Sequence, residues 1–366
     1  MQILAAVATA ESAPMAIQEL VLDDLRPDEV RVRMVASGVC HTDAAVRDQV
    51  IPTPLPAVLG HEGSGVVDAV GGAVTTVRPG DHVVMSANSC GTCVQCLSGR
   101  LAYCEDLFAR NFGARRADGT TSLTGEDGAV GSGFFGQSSF STYANVAERS
   151  VVKIDAGVDL VLAAPLGCGI QTGAGAVLNE LRPEPGSAIA VFGAGAVGSA
   201  AIMAAKLTGA TRIIAVDIVA SRLELATRLG ATHTINSLEE DVSARLNEIT
   251  GERGLNYALD TTALPGVLRR AADHLAVRGV LAVVGSSLPG TEVVLEIGES
   301  LNRGWTFKTV IQGSSVPQVF IPALVDLWKQ GRFPVDALIE TYPFAEINRA
   351  FEDSHSGRTI KPVLVY

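Results

Sequence analysis

The sequence feature that most constrains the fold is a glycine-rich segment, VFGAGAVG, near the middle of the chain. It ends an apolar, strand-like run, SAIAVFG, and opens a helix-like run that continues to about Leu207. Its glycines, Gly193, Gly195 and Gly198, have the spacing G-x-G-x-x-G. In a strand–turn–helix unit they permit a tight turn, close approach of the backbone to a pyrophosphate, and close packing of helix on strand. The segment therefore predicts a dinucleotide site at a helix N-terminus, where free N–H groups attract an anion.

The sequence downstream of this turn alternates between strand-like and helix-like runs. Six strands are predicted, with helices between them: SAIAVFG, TRIIAVD, THTIN, NYALDTT, GVLAVVG and WTFKTVI. Such alternation indicates an α/β fold with a doubly wound parallel sheet. Residues 1 to about 150 instead carry short alternating runs rich in Val, Gly and Pro, which indicate an antiparallel or mixed β domain. The final strand-like run, TIKPVLVY, is expected to rejoin that first domain.

Asp217 lies at the end of the second predicted strand, nineteen residues after Gly198. A carboxylate at this position accepts hydrogen bonds from the adenosine ribose and repels a 2′-phosphate, so NAD is favoured over NADP. Arg222 lies nearby and could cover the same ribose. The alternative role for Asp217 is that of a residue capping a strand end.

Four of the six cysteines form a compact cluster with the spacing C-x2-C-x2-C-x7-C: Cys90, Cys93, Cys96 and Cys104. Four thiolates this close together can enclose one tetrahedral zinc ion and leave no coordination position for a substrate. A single iron, an iron–sulfur cluster and a zinc ribbon that binds nucleic acid are the alternatives. The iron–sulfur pattern lacks its usual fourth spacing, and a ribbon needs a longer separation between its two pairs. We therefore predict a structural zinc site here and expect the chemistry elsewhere.

The two remaining cysteines, Cys40 and Cys168, each lie in a distinctive context, GVCHTD and LGCGIQTGAG. Between them comes GHEGSG, which carries His61. Two thiolates and one imidazole would form an open zinc site with a free position for substrate. This division uses all six cysteines in two zinc sites. The other histidines have no comparable context and are expected to be surface or locally bonded groups.

The charge pattern limits the partners. The chain carries a net charge of −11 and no run of basic residues, which argues against binding to nucleic acid or to an anionic membrane. The first ten residues lack a positive region, so a secretory signal is not expected. The uncharged stretch from Ser187 to Ala205 is interpreted as a buried core unit rather than a membrane span. We expect a cytoplasmic protein whose thiols stay reduced.

Taken together, the motifs GHEGSGVV, GVCHTD, the four-cysteine cluster, LGCG and GAGAVG resemble the zinc-dependent medium-chain alcohol dehydrogenases over essentially the whole chain. The segments FFGQSSFSTYA, LGCGIQTGAG and KQGRFPVDALIETYPFAEINRAFEDS look most like aryl-alcohol (benzyl-alcohol) dehydrogenases, which act on aromatic and some allylic terpenoid primary alcohols. The resemblance implies a mostly β GroES-like zinc domain over residues 1–169 and 313–366 and a Rossmann-type NAD domain over residues 170–312. It also implies two zinc ions per subunit and a homodimer or homotetramer.

The resemblance further implies a role for individual residues. The catalytic zinc would be held by Cys40, His61 and Cys168, with Glu62 next to the metal and Asp43 orienting His61. Thr42 would take the proton of the alcohol. Cofactor contacts would come from the glycine-rich turn, including Val197, and from Asp217, Arg222, Thr172, His41 and Lys361, the last two facing the pyrophosphate. The substrate pocket would be lined by Ile51, Phe134 and Phe135. One departure concerns the proton path, because Ala45 stands where many family members have a histidine.

The leading interpretation is an NAD-dependent zinc enzyme that reversibly oxidises aromatic primary alcohols. Dehydrogenases of allylic or terpenoid, aliphatic or polyhydroxy alcohols are the alternatives, and the paired Phe134 and Phe135 argue against a polyol site. A non-catalytic NAD-binding relative would be indicated by loss of a zinc ligand, yet all three candidate ligands are present.

Overall fold

The computed structural model describes all residues, Met1–Tyr366. The chain forms two compact units: unit 1 comprises Met1–Cys168, Val316–Leu327 and Val335–Tyr366, and unit 2 comprises Gly169–Ser315 and Trp328–Pro334. The domain bounds expected from the sequence differ from these by one residue where the chain first passes from unit 1 to unit 2, and by three residues where it returns. The expected bounds also assign residues 328–334 to the first domain, whereas in the structure these residues belong to unit 2.

Eighteen strands follow one another along the chain: β1 Gln2–Ala8, β2 Ala16–Leu22, β3 Glu29–Gly38, β4 Ala57–Val58, β5 Glu62–Val70, β6 His82–Met85, β7 Leu123–Gly125, β8 Gly128–Val130, β9 Tyr143–Ala147, β10 Val151–Lys153, β11 Ala188–Phe192, β12 Arg212–Asp217, β13 His233–Asn236, β14 Leu255–Asp260, β15 Leu275–Val283, β16 Thr306–Thr309, β17 Ile339–Pro343 and β18 Lys361–Val365.

Twelve α-helices connect them: α1 His41–Arg47, α2 Val94–Leu97, α3 Leu107–Phe112, α4 Leu160–Ala163, α5 Gly169–Gly175, α6 Ala196–Lys206, α7 Ala220–Leu229, α8 Val242–Thr250, α9 Pro265–Asp273, α10 Ile297–Arg303, α11 Pro317–Lys329 and α12 Ile347–His355. A π-helical stretch, Ala176–Leu181, continues α5.

Unit 2 contains one parallel sheet in the order β13-β12-β11-β14-β15-β16. Every residue of β11 is buried, as expected for a central parallel strand covered on both faces. The order reverses next to β11, and ligands of open α/β sheets bind at such switch points, outside the carboxyl ends of the strands. The predicted doubly wound α/β fold is confirmed, and the turn at Gly193 lies at that switch point.

Unit 1 is mostly β, as predicted. One sheet has the order β4-β1-β2-β7-β8, and the other has the order β10-β6-β5-β3-β18-β17, with β9 also paired to β3. The C-terminal strand β18 pairs antiparallel with β3, so the tail does rejoin the first domain. The start of β5, the end of β3 and helix α1 therefore meet at one place in this unit.

The last strand of unit 2 is shorter than the predicted run from Trp305 to Ile311. The backbone N–H of Trp305 bonds to the carbonyl of Ser300 in α10, and Ile311 caps a 3₁₀ turn, so the strand comprises only Thr306–Thr309. No single helix is both long and apolar enough to cross a membrane; only the bent pair Leu160–Gly167 and Gly169–Leu181 reaches that length and composition, taken together.

Candidate active site

Four potential metal ligands from distant parts of the sequence meet inside unit 1. One ligand atom from each of Cys40, His61, Glu62 and Cys168 lies within 4.8 Å of the others. Cys40 caps the N-terminus of α1, Glu62 opens β5, and Cys168 follows the 3₁₀ turn after α4. Glycine is required beside Glu62, because a Cβ on Gly38 would lie 2.1 Å from Glu62 Oε2.

Asp43 fixes both the backbone and the imidazole of this cluster. Its Oδ1 lies 2.9 Å from His61 Nδ1 and also accepts the N–H of Gly60, at 3.1 Å, while its Oδ2 accepts the N–H of Cys40 at 3.0 Å. Neither Asp43 nor His61 is exposed to solvent. The carboxylate therefore directs His61 Nε2 away from itself and into the cluster.

The donor set fits a zinc ion. Thiolate and imidazole are the ligands that zinc takes in such sites, and His61 Nε2 is a buried nitrogen without any hydrogen-bond partner in the chain. A buried polar atom of this kind is costly unless something binds it. A metal ion held by Cys40, His61 and Cys168 would satisfy it.

The titratable groups of the cluster shift one another's pKa values. The hydrogen bond from Cys168 lowers the pKa of the Cys40 thiol well below its ordinary value, whereas the same interaction raises the pKa of Cys168. Burial acts to lower the pKa of His61, but the neighbouring Asp43 carboxylate and Cys40 thiolate outweigh it and raise that pKa. The thiolate form of Cys40 and the protonated form of His61 thus stabilise each other.

Glu62 is bound by a buried lysine. Lys361 Nζ lies 2.9 and 3.1 Å from the two carboxylate oxygens of Glu62 and donates to the carbonyl of Val39 at 3.2 Å. Burial raises the pKa of Glu62, and the lysine opposes that rise. Lys361, expected from the resemblance to face a pyrophosphate, is thus 3% exposed and paired with Glu62. His41 lies exposed at the first position of α1.

The aromatic residues expected in the substrate pocket lie directly against the cluster. The ring of Phe135 stacks on His61 with centroids 4.5 Å apart, and Phe134 meets His61 edge-on at 5.6 Å. Ile51 packs against the same apolar cluster as these two rings. Thr42 is half-buried in α1, with its hydroxyl 3.9 Å from the sulfur of Cys40.

Gln137 is a site residue that the sequence reasoning missed. It is fully buried, and its Nε2 donates to the carbonyls of His61, at 3.0 Å, and Ser86, at 3.4 Å, while its Oε1 accepts the N–H of Gly63 at 3.1 Å. It follows the turn Phe134–Gly136, in which Phe135 has a left-handed φ of 52°. The one signal in the sequence is a glutamine between two phenylalanine-containing segments, FFG and SSF.

The four-cysteine cluster forms as predicted, with its sulfur atoms within 4.8 Å of one another and no disulfide. The backbone N–H groups of Thr92 and Cys93 donate to Cys90 Sγ and lower the pKa of Cys90 to about 6. Burial raises the pKa of Cys96 to about 12. A bound cation would favour the thiolate form of Cys96 as well, and tetrahedral zinc suits four thiolate ligands.

Unit 2 forms a cleft of about 340 Å³ at the end of β11. It is lined by Gly193, Gly195, Asp217 and Arg222, among others. Gly193 has a φ of +89°, and a Cβ on Gly198 would lie 1.8 Å from the carbonyl oxygen of Gly193, whereas a Cβ on Gly195 would meet nothing within 4 Å. The first and third glycines thus serve the turn and the packing, and the second leaves open space at the start of α6.

The carboxylate of Asp217 also accepts backbone hydrogen bonds within that cleft. Its Oδ2 accepts the N–H of Ala194 at 2.6 Å, and its Oδ1 accepts the N–H groups of Ile218 and Val219 at 2.8 and 2.9 Å. Arg222 lies 4.0 Å away, and its Nε is buried without a hydrogen-bond partner. The cleft fits an adenosine ribose beside a glycine-rich turn. Val197 lies in the first turn of α6, and Thr172 lies half-buried in α5.

Comparison with known proteins identifies the two units. Residues 26–156 match the family model for the alcohol dehydrogenase GroES-like domain, and residues 196–329 match that for zinc-binding dehydrogenases. A geraniol dehydrogenase from Castellaniella defragrans is 43% identical over 99% of this chain and 97% of its own.

Two solved structures share the fold throughout. An alcohol dehydrogenase zinc-binding domain protein from Burkholderia ambifaria has a TM-score of 0.97 and 52% sequence identity, and the benzyl alcohol dehydrogenase from Acinetobacter calcoaceticus has a TM-score of 0.97 and 48% identity. Each comparison covers 100% of this chain and 99% of the other.

Proposed function

The chain belongs to the zinc-dependent alcohol dehydrogenases, and from that premise we propose that it reversibly oxidises aromatic primary alcohols of the benzyl type to aldehydes with NAD. The observation that carries the substrate class is the pair of rings at Phe134 and Phe135, packed against His61. Paired aromatic rings offer a planar substrate edge-to-face contacts and a large apolar area. The similarity to a benzyl alcohol dehydrogenase supports the same class.

The residues have different roles at the reacting end of the substrate. Cys40, His61 and Cys168 would hold a catalytic zinc, which when bound supplies a Lewis acid for the alcohol oxygen while NAD accepts a hydride. Asp43 keeps Nδ1 of His61 engaged, so that Nε2 stays directed into the cluster.

The proton of the alcohol is assigned to Thr42. Thr42 is half-buried and its hydroxyl lies 3.9 Å from Cys40 Sγ, which supports this role. Ala45, one turn further along α1, has no side chain that could pass the proton on. The outer part of the path would therefore use the cofactor ribose or water.

We propose a second zinc per subunit in the four-cysteine cluster, where it would hold the loop from Cys90 to Cys104 together. NAD is proposed over NADP because the Asp217 carboxylate lines the cleft. Three backbone N–H groups bond to that carboxylate and keep it there.

A substrate panel tests the proposal. At roughly 25 cal/mol per Å², about 80 Å² of extra apolar burial favours benzyl alcohol over ethanol by about thirtyfold in kcat/KM. Cyclohexylmethanol, similar in size but not conjugated, separates ring size from the intrinsic reactivity of a benzylic alcohol. Equal efficiency with ethanol would refute the aromatic site. Thr42→Ala should abolish turnover and Thr42→Ser should retain it; an active Thr42→Ala would remove Thr42 from the proton path.

An allylic terpenoid alcohol is the second candidate substrate. It is favoured by the 43% identity to a geraniol dehydrogenase over almost the whole chain. Geraniol has a planar, unsaturated carbon next to the carbinol, as benzyl alcohol does, but a longer, flexible tail. Including it in the panel decides between the two classes, because a higher kcat/KM for geraniol than for benzyl alcohol would assign the enzyme to terpenoids.

A further inference from the structure

The glycine-rich turn of unit 2 is bound on one side by the end of β12. The backbone N–H of Gly193 donates to the carbonyl of Val216 at 2.8 Å. The backbone N–H of Ala194 donates to the carboxylate of Asp217 at 2.6 Å. Each of these bonds fixes the N–H end of a peptide group: the first group joins Phe192 to Gly193, and the second joins Gly193 to Ala194.

Thr261, the residue that follows β14, binds the carbonyl ends of the same two peptide groups. Its hydroxyl is shared between the carbonyl oxygens of Phe192, at 2.9 Å, and Gly193, at 3.3 Å. Its backbone N–H also donates to Phe192, at 3.0 Å. The hydroxyl fills the space beside Gly193, since a Cβ there would lie 2.3 Å from Thr261 Oγ1. Both peptide groups of the turn are therefore held at both ends, by β12 and by Thr261.

The segment after β14 is itself fixed, so the hydroxyl of Thr261 has a defined position. Asp260 is fully buried, and its carboxylate accepts the hydroxyl of Thr262 at 2.8 Å and the N–H of Ala263 at 2.7 Å. Ala263 has a left-handed φ of 52°, and a Cβ on Gly285 would lie 2.7 Å from its backbone nitrogen. The segment thus packs closely against the residues that follow β15.

The direction of the carbonyls in the turn matters if an anion binds at the start of α6. Backbone N–H groups attract a pyrophosphate, whereas a carbonyl oxygen carries a partial negative charge and repels it. The carbonyl oxygen of Gly193 is confined from two sides: a Cβ on Gly198 would lie 1.8 Å from it, and the hydroxyl of Thr261 binds it. The hydrogen bond keeps this carbonyl directed at Thr261, so the turn cannot rotate it toward the anion.

We infer that Thr261 is a positioning residue for the pyrophosphate of the dinucleotide, because its hydroxyl sets the conformation of the turn that receives the phosphates. The inference rests on the proposed function, which makes NAD the occupant of the cleft that Thr261 helps to line. The adenosine end of the dinucleotide is left to Asp217 and Arg222. Loss of the hydroxyl should therefore weaken ligands that carry the pyrophosphate and spare ligands that lack it.

The test compares the binding of ADP-ribose with that of adenosine to the zinc-loaded enzyme, by calorimetry. Thr261→Val replaces the hydroxyl with a methyl group of similar size. It should raise the Kd of ADP-ribose about tenfold and leave that of adenosine within about twofold. Thr261→Ala, which removes the hydroxyl without adding a methyl group, should give the same result. Thr261→Ser keeps the hydroxyl and should bind both ligands like the wild type.

Thr208→Val is the matched control. Thr208 is also half-buried, its hydroxyl donates to the carbonyl of Ala205 at 2.7 Å, and it lies beyond the other end of α6. This variant should leave both Kd values unchanged. The inference is wrong if loss of the Thr261 hydroxyl leaves ADP-ribose binding as in the wild type, if it weakens both ligands equally, or if Thr208→Val weakens ADP-ribose as much.

A third ligand, 2′-phospho-ADP-ribose, separates the inference from the proposed cofactor. If the wild type binds it more tightly than ADP-ribose, the proposed preference for NAD fails. The same pyrophosphate is present in both ligands, so Thr261→Val should still weaken 2′-phospho-ADP-ribose about tenfold, and an unchanged Kd would overturn the inference by itself.

Discussion

At the scale of the residue, Gln137 connects the chain segments that form the candidate site. Its amide group bonds to the backbone on either side of Glu62, at His61 and at Gly63. It also follows directly on the turn that carries Phe134 and Phe135. A single buried side chain thus connects the turn of Phe134 and Phe135 to the segment that carries His61. Its loss would leave a buried carbonyl and a buried N–H without partners.

We predict that Gln137→Leu loosens the metal site as well as the fold. Leaving buried polar groups unsatisfied costs about 1–3 kcal/mol each, and loss of a residue that supports a metal ligand typically lowers metal affinity 10- to 100-fold. The measurements are urea unfolding and the rate at which a chelator removes the catalytic zinc. Gln137→Glu, which keeps an acceptor for the N–H of Gly63, should lose less stability and release zinc more slowly than Gln137→Leu. Loss of stability with an unchanged rate of zinc release would show that Gln137 has only a structural role.

The proposed preference for NAD over NADP also depends on a single residue, Asp217. We predict that Asp217→Asn narrows the preference for NAD over NADP by about tenfold in kcat/KM, because an amide does not repel a 2′-phosphate. The amide oxygen can still accept backbone N–H groups, so this variant disturbs the turn less than Asp217→Ala. Arg222→Ala should lower the use of NADP further in the Asp217→Asn background. An Asp217→Asn enzyme with the wild-type cofactor ratio would refute the assignment.

The ligand residues could be predicted from the sequence because cysteine is rare and each remaining copy lies in a distinctive motif. The contacts of Gln137, Glu62 and Phe112 could not. Lys361 pairs with Glu62 across 299 positions of sequence, and such pairs appear only when the sheet of unit 1 closes. Phe112 contacts the rings of Phe134 and Phe135, and these contacts depend on where the short helix α3 lies, which no local pattern specifies.

At the scale of the element, the four-cysteine loop and the Cys40–His61–Cys168 cluster differ in how they are built. The loop is local: its four cysteines lie within fifteen residues, and the short helix α2 forms part of it. The second cluster gathers ligands from three separate parts of a folded unit. Removing a ligand should therefore have a different consequence in each.

We predict that Cys168→Ser abolishes turnover, lowers the zinc content by about one ion per subunit and leaves the fold intact. Cys93→Ser should instead lower thermal stability or solubility, because a loop closed by a metal loses its folding energy with the metal. Zinc content by elemental analysis, melting temperature and activity, measured on both variants, check this. A Cys93→Ser protein that melts like the wild type and only loses turnover would reverse the two roles.

Glu148 offers a test of stability against pH at the element scale. It accepts the N–H groups of Thr75 and Thr76 and the hydroxyl of Thr76, which connects that loop to the segment before β10. Burial acts to raise the pKa of the carboxyl, but these hydrogen bonds outweigh it, and the pKa lies below its ordinary value of 4.5. A lowered pKa stabilises the fold above about pH 4.5, and that stability is lost as the pH falls through the folded pKa.

We therefore predict that Glu148→Gln is about 1 kcal/mol less stable than the wild type at pH 7, and that the difference shrinks below about pH 4. The melting temperatures of both proteins, measured from pH 7 to pH 3.5, give the comparison. Glu252→Gln, at an exposed glutamate without such hydrogen bonds, is the control. A constant difference across this range would show that the carboxylate charge is irrelevant.

At the scale of the whole molecule, unit 2 presents an uncovered sheet edge next to apolar side chains. Strand β16 is the outer strand of the parallel sheet and pairs only with β15. Helix α10 before it has no buried residue, and it exposes Ile297 and Leu301, each to more than three quarters. An open sheet edge can pair with another chain, and exposed apolar side chains beside it are suited to a protein–protein interface. The parallel core of this unit was predictable because its central strand β11 is apolar and buried throughout, whereas an edge is visible only once the strand order is known.

We predict that the enzyme assembles as a homo-oligomer through β16 and α10 of two copies, and that Leu301→Glu shifts it toward the monomer. A carboxylate buried in such an interface is penalised by desolvation, so the dissociation constant should rise by at least about tenfold. Light scattering coupled to size exclusion, over a dilution series, measures the change. Leu238→Glu is the matched control, since Leu238 is equally exposed in the same unit but lies beyond β13, at the opposite edge of the sheet. The interface is misplaced if Leu301→Glu stays as associated as the wild type, or if both variants dissociate alike.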